Sequence, residues 1–379
     1  MEINWEALNI QVCSGRYMQE IQQSLRELTN YNRFPGAQPV SFELKHIETL
    51  KTEKYFVCEK TDGVRLLLYT RYNNILKRYE SFFLDRKLQP FYIPELKLYS
   101  LDMKESVNTL LDGELVIDRI PFKEYYKKQN RKIPKLEKEP EFKEIYRFLL
   151  FDCIYLSGEF MNQRTFDVRL GKCQGLLKSY HKMRTTMGLS VYFTLELKAM
   201  LPSYRLQEPL HIQTKNDDSD TSGKLKHESD GLIFTKWHNT LVFGTDHNIL
   251  KWKPPHLNSV DFKVKVKVHS DILTDVEKIE FVLHIGLSDH KLKEIGVLRF
   301  DDFEVQTEFE INKDLYEGVI VECKLVGSMW MYMRLRDDKD IPNHISTYEK
   351  VMQSIQDNIT KQVLLDLALD IKSNWEALQ

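Results

Sequence analysis

The sequence is short of several things, and each shortage limits what the protein can be. Cysteine is scarce: Cys13, Cys58, Cys153, Cys173 and Cys323 are scattered, odd in number and free of any C-x-x-C spacing. They offer no disulfide framework and read as buried or idle thiols in a reducing compartment. An excess of one charge is also missing, since 54 Lys and Arg face 56 Asp and Glu for a net charge of −2. Nothing global draws such a chain to a polyanion, so a basic protein coating RNA nonspecifically is disfavoured. Any polyanion site must come from local clusters of Lys and Arg. No secretory apolar segment opens the chain, and no apolar run is long enough to span a bilayer. A soluble, intracellular protein with no membrane partner is expected. No repeat period is present.

What remains is ordinary globular material: 379 residues, 42% apolar and 29% charged, enough for a sizeable core and, by length, two domains. Two polar stretches, Lys123 to Glu141 and Gln213 to Ser229, read as surface loops. The first contains the basic run Lys127-Lys128-Gln129-Asn130-Arg131-Lys132, taken as solvated, with a nuclear signal as the alternative. Helical spacing marks Met18 to Leu28 and much of Met161 to Tyr180. Tyr55–Glu59 and Arg65–Tyr69 read as strands flanking a tight Asp62-Gly63 turn. Leu111–Ile117 and Tyr146–Tyr155 are further strands. At Pro254-Pro255 the character changes, which sets a boundary or hinge there: residues 1–253 form one domain and 254–379 another. Asp261 to Val268 alternates with period two. With Ile279–Ile285, Glu294–Phe300, Gly318–Val326 and Met329–Arg336, it makes five strands, enough for a small Greek-key barrel of OB type. The tail from Ser346 to Leu378 predicts one or two closing helices.

The chemistry concentrates in charged residues at strand ends. In Glu59-Lys60-Thr61-Asp62-Gly63-Val64-Arg65, a lysine ends one apolar strand and an arginine opens the next. Taken alone, this is also the pattern of an ordinary hairpin with exposed basic ends. Four more segments repeat the theme: Asp112-Gly113-Glu114, Phe151-Asp152, Asp230-Gly231 and Leu250-Lys251-Trp252-Lys253. Side chains two apart on a strand share a face, so Lys251 and Lys253 point together.

As an ordered set, these segments resemble the covalent nucleotidyltransferase superfamily of mRNA capping guanylyltransferases and polynucleotide ligases. Lys60 to Arg65 is similar to motif I and Asp112-Gly113-Glu114 to motif III. The strand through Phe151-Asp152 resembles motif IIIa, Asp230-Gly231 motif IV and Leu250 to Lys253 motif V. Arg334-Leu335-Arg336-Asp337-Asp338-Lys339 resembles motif VI, with its R-x-D-K core. Phe34-Pro35-Gly36-Ala37-Gln38-Pro39-Val40-Ser41-Phe42, Thr61, Val260-Asp261-Phe262 and Asn343-His344 are similar to segments of the fungal-type capping enzymes.

The resemblance implies an α+β fold: an adenylation-type nucleotidyltransferase domain of antiparallel sheets and helices, then an OB-fold barrel with C-terminal helices. It implies that Lys60 attacks the α-phosphate of GTP and carries GMP to the 5′-diphosphate end of RNA, forming a GpppN cap. A lysine amine attacks only when unprotonated, and its reference pKa is about 10.4, so nearby cations and a metal are expected to favour the neutral form. Arg65, Phe151, Lys251 and Lys253 are implied nucleotide contacts, with Phe151 on the base and Arg65 at the sugar. Arg334, Arg336 and Lys339 are implied at the leaving pyrophosphate, and Asp338 among the GTP-binding residues. Glu114 and Asp230 stand nearest a Mg²⁺ or Mn²⁺ ion, with the ribose as the alternative for Glu114. The implied partners are 5′-diphosphate RNA, a separate RNA 5′-triphosphatase subunit and the phosphorylated tail of RNA polymerase II, in the nucleus. An ATP-dependent polynucleotide ligase and a non-catalytic interaction module stay as alternatives.

Overall fold

The computed structural model describes residues 3–128, 140–188, 191–210, 227–270 and 277–377. The chain forms two compact units. One holds Met1–Val40, Glu48–Trp252 and Leu365–Gln379, and the other holds Ser41–Ile47 and Lys253–Leu364.

As far as Trp252 the elements run β1 (Gln11–Val12), α1 (Gly15–Thr29), β2 (Ala37–Ser41), α2 (Lys45–Thr52), β3 (Tyr55–Thr61), β4 (Val64–Asn73), β5 (Arg78–Leu84), β6 (Pro90–Tyr92) and β7 (Thr109–Pro121). They continue with α3 (Phe122–Lys128), β8 (Phe142–Leu156), β9 (Glu159–Phe160), α4 (Phe166–Met187), β10 (Phe193–Leu197), β11 (Leu201–Pro202), β12 (Ser229–Lys236) and β13 (Gly244–Trp252). An eight-stranded sheet is ordered β1-β6-β5-β4-β7-β8-β10, with β9 beside β8, and a five-stranded sheet is ordered β11-β3-β12-β13-β2. In the larger sheet β10 runs parallel to β8. A parallel return needs a crossover, which α4 supplies, so this pair departs from the expected all-antiparallel arrangement.

The run Leu66-Leu67-Leu68-Tyr69 is buried on both faces of β4. Leu66 and Leu68 pack with Leu176, Leu177 and Tyr180 of α4, while Leu67 and Tyr69 pack with Ile21 and Leu25 of α1. A strand covered on both sides has no polar face to alternate, which explains the continuous apolar stretch.

Two local expectations are corrected. Asp62-Gly63 is not a hairpin turn, because β3 belongs to the five-stranded sheet and β4 to the eight-stranded one. The neighbours of β3 are β11 and β12, and those of β4 are β5 and β7, so the two cannot pair with each other. The polar stretch after residue 122 is not loop throughout: it opens with α3, whose Phe122 and Tyr126 rings pack 5.0 Å apart. Lys127 and Lys128 lie in α3, while the rest of that basic run and most of the 213–229 stretch fall outside the described residues.

In the second unit, β14 (Ser259–Ser270), β15 (Glu277–Gly286), β16 (Leu292–Arg299), β17 (Ile320–Val326) and β18 (Met329–Leu335) close a barrel ordered β14-β15-β16-β18-β17. Period-two alternation in β14 sends Val260, Phe262 and Val264 into its core. Between β16 and β17 lies α5 (Phe303–Ile311), whose N-cap Asp302 accepts from the Glu304 and Val305 amides and which buries Phe309. The tail forms α6 (Ile345–Asp357) in this unit and α7 (Lys361–Ala377), which from Leu365 on belongs to the first unit.

A buried charge ties α1 to the larger sheet. Glu80 accepts from Tyr17 at 2.9 Å, Arg78 at 3.0 Å, Asn73 at 3.1 Å and twice from Arg71 at 2.9 and 3.1 Å. Burial alone pushes its carboxyl pKa up, but these donors outweigh burial and hold it below the usual range. A depressed folded-state value contributes stability that is complete above the unfolded pKa of about 4.3 and fades as pH falls through the folded value. Replacing Glu80 by Gln should cost about 3–5 kcal/mol in urea unfolding at pH 7, and the difference from wild type should shrink below about pH 4.

Candidate active site

The two sheets of the first unit face each other across a cleft of about 170 Å³. From β3 come Cys58, Lys60 and Thr61. Arg65, Asp112, Glu114, Phe151 and Asp152 come from the larger sheet, and the walls also include Ala37, Pro39, Arg86, Lys198 and, on β12, Ile233. The crossing between sheets creates this geometry. A Cβ on Gly63 would lie 2.7 Å from the Leu115 carbonyl oxygen and 2.8 Å from Glu114 Cγ. Glycine is required there because the chain passes flush against β7.

Lys60 Nζ donates to Asp230 Oδ1 at 2.5 Å. Asp230 stands at an irregularity in the β12–β3 pairing between Ser229 and Leu232. Such a bulge lifts a side chain out of the regular ladder and re-aims it. On the opposite wall, Arg65 and Glu114 are cross-strand partners on β4 and β7. Arg65 grips Asp112 with two bonds, Nε at 3.0 Å and Nη2 at 2.6 Å. Burial works against its charge, but Asp112, with Glu114 and Asp152, outweighs burial and drives the guanidinium further into its charged form. Its Cζ lies 5.4 Å from the Phe151 ring centroid.

Lys198 is 4% exposed, a cation inside the cleft. It donates to Thr61 Oγ1 at 2.7 Å and lies 3.5 Å from Glu114 Oε2, while Thr61 also donates to Glu114. Burial lowers its pKa, but Cys58, Glu114 and Glu59 raise it by more, so the ammonium is held charged. The Phe151 ring is 6.0 Å from its Nζ. Behind Phe151, Asp152 is fixed by Arg169 at 2.7 and 2.9 Å.

Residues 6–255 match the family described as mRNA capping enzyme, catalytic domain, and residues 257–365 match mRNA capping enzyme, C-terminal domain. The chain belongs to the mRNA capping enzyme family. It is 35% identical to the mRNA-capping enzyme subunit alpha of Schizosaccharomyces pombe, over 89% of this chain and 80% of that one. The Neurospora crassa subunit alpha is 33% identical over 90% and 86%, and the Saccharomyces cerevisiae one 29% identical over 96% and 85%.

Of the residues singled out from the capping-enzyme resemblance, Lys60, Arg65, Glu114 and Phe151 share the cleft, and Asp230 touches Lys60. Lys251 is the cross-strand partner of Ile233 on β12. Opposed residues point to the same side of a sheet, so Lys251 shares the face of Ile233, which lines the cleft. Lys253 follows the end of β13 and belongs to the second unit. The remaining four also lie in that unit. There Arg336 bonds Asp261 at 2.8 Å and Asp338 at 2.8 and 2.9 Å, Lys339 bonds Asp261, and Arg334 bonds Glu322 at 2.7 Å.

The sequence reading of this capping-enzyme chain missed Lys198 and Arg86. Lys198 follows Thr194 and Glu196 at period two, which marks it as a solvent-side residue. Its contacts with Thr61 and Glu114 are visible only once β3 and β7 converge. Arg86 lies between β5 and β6 in a run that reads as a plain turn.

Among the described residues, no three His, Cys, Asp or Glu side chains converge on one point. Glu114 and Asp230 supply hard oxygen donors, but each already serves a cation or a hydroxyl. They fit a divalent ion held largely by phosphates and water rather than in a protein cage.

Gly63→Ala should destabilise the protein by about 1–3 kcal/mol in urea unfolding, because backbone must move to admit the methyl group. Gly171→Ala in α4 meets nothing within 4 Å. It should stabilise by up to about 1 kcal/mol.

Proposed function

We propose that this chain is an mRNA guanylyltransferase that uses Lys60 as its nucleophile. The observation that carries the reading is the Lys60 amine lining the cleft between the two sheets, held by the Asp230 carboxylate, in a chain of the capping-enzyme family. In the first step Lys60 Nζ loses a proton and attacks the α-phosphorus of GTP. Asp230, 2.5 Å away, is the nearest acceptor. The new P–N bond replaces the P–O bond to the β-phosphate, and pyrophosphate leaves. In the second step a terminal phosphate oxygen of 5′-diphosphate RNA attacks the same phosphorus. The P–N bond breaks, Lys60 recovers its proton, and a 5′–5′ triphosphate cap results.

Splitting one transfer into two displacements is covalent catalysis, and its cost lies in phosphate charge. Lys251, Lys253, Arg334, Arg336 and Lys339 are assigned to the phosphates, and Asp338 is assigned to orienting Arg336. A divalent ion, Mg²⁺ or Mn²⁺, would be met by Glu114 and Asp230 and would neutralise phosphate oxygens. Arg65 is assigned to the ribose hydroxyls and Phe151 to stacking on the base. A base stacked on Phe151 brings its edge toward Lys198, 6.0 Å from that ring. An ammonium donor matches the carbonyl oxygen of guanine and repels the amino group of adenine. This supports GTP over ATP and disfavours the ligase reading. The acceptor RNA would come from an RNA 5′-triphosphatase subunit, with action in the nucleus on transcripts bound to the phosphorylated polymerase tail. Among the described residues, no helix is long and apolar enough to cross a membrane.

GTP labelled at its α-phosphate should transfer label to the protein and then to 5′-diphosphate RNA, giving GpppN ends, while ATP should give neither product. Lys198→Met should cut kcat/KM for GTP about a hundredfold, because an unmatched carbonyl is left in a dry site. Labelling from ATP alone would overturn the assignment.

A further inference from the structure

Arg65 is held by more than Asp112. The segment leading into β2 closes on it from the other side. The Phe34 ring centroid lies 5.2 Å from Arg65 Cζ, so the guanidinium contacts two aromatic rings, Phe34 and Phe151. Gln38 Oε1 accepts from Arg65 Nη1 at 3.5 Å. Between them, Gly36 leaves no room: a Cβ there would fall 2.4 Å from Phe34 Cε1, 2.6 Å from Asp112 Oδ2 and 2.7 Å from Arg65 Nη2. No left-handed backbone conformation demands this glycine, since Gly36 is absent from the positive-φ residues. Its lack of a side chain serves the close approach alone. The next residues, Ala37 and Pro39, are cleft wall.

A buried arginine with one carboxylate partner keeps freedom to pivot about that pair. Two rings within cation–π distance and an acceptor at its free edge restrict that freedom. We propose that Phe34, Gly36 and Gln38 form a clamp that presets Arg65 for the ribose hydroxyls of the incoming nucleotide. They are positioning residues: none contacts the reacting phosphorus, and each acts through Arg65. This deepens the function proposed above and rests on the assignment of Arg65 to the ribose.

The test compares GTP with 2′-deoxyGTP and 3′-deoxyGTP in the formation of the covalent nucleotidyl-protein by the full chain. The proteins are wild type, Gly36→Ala, Phe34→Leu, Gln38→Ala and, as reference, Arg65→Lys. The clamp variants should raise KM for GTP about tenfold and change kcat less than about twofold, because contacts made equally in ground and transition states are lost. Their preference for GTP over the deoxy analogues should collapse toward that of Arg65→Lys. Phe34→Leu and Gln38→Ala carry the test if the added methyl at Gly36 prevents folding. Variants that lose activity equally on all three nucleotides, with the wild-type preference intact, would show general loosening of the loop and overturn the clamp. If Arg65→Lys itself keeps the wild-type preference, the ribose assignment fails instead. If only Arg65→Lys loses it, the assignment stands and the clamp alone is wrong.

Discussion

Everything in the first unit follows from a crossing only a few residues long. Lys60 and Arg65 are near neighbours in the chain, yet they end in different sheets because Asp62 and Gly63 carry the backbone past β7 rather than back on itself. A hairpin would have left both side chains on one surface, exposed to water. The crossing sets them on facing walls of the cleft. Gly63 permits the passage and the irregularity before Leu232 turns Asp230 toward Lys60.

The second consequence is electrostatic. The cleft gathers several cations into low-dielectric surroundings, an arrangement that costs more than it returns unless each has a partner. Each of the three principal ones does. Lys60 has Asp230, Arg65 has Asp112, and Lys198 has Glu114 through Thr61. Asp112 and Asp152 are themselves cross-strand partners, and Arg169 answers the second carboxylate from behind. The cleft is therefore a preorganised set of donors waiting for anions. Under the proposed function, a triphosphate would supply the negative charge that carboxylates hold in its place.

How much of this was legible in the sequence depended on whether the signal was local. Period two in Asp261 to Val268 reported a half-buried strand correctly, and that strand closes the barrel with the four other strands the sequence offered. The charged residues at strand ends pointed to the cleft as an ordered set, though none was persuasive by itself. Asp62-Gly63 misled because turn chemistry describes a bend and not which strands pair across it. Lys198 was hidden just past the end of β10, in line with that strand's polar side. Phe303, Val305, Phe309 and Ile311 also alternate, yet they lie in α5, where the Asp302 cap and the burial of Phe309 prevail over the pattern. The part of Phe34 and Gly36 was invisible for a different reason: it depends on a contact with Arg65 that exists only after the chain has folded.

The account stands or falls on one covalent bond. Protein exposed to GTP and a divalent cation, digested under conditions that preserve phosphoramidates, can be mapped peptide by peptide in the mass spectrometer. One added guanylate is expected on the peptide containing Lys60, with the fragment ions placing it on that side chain. A guanylate on another residue, or none on any peptide while RNA is still being capped, would contradict it.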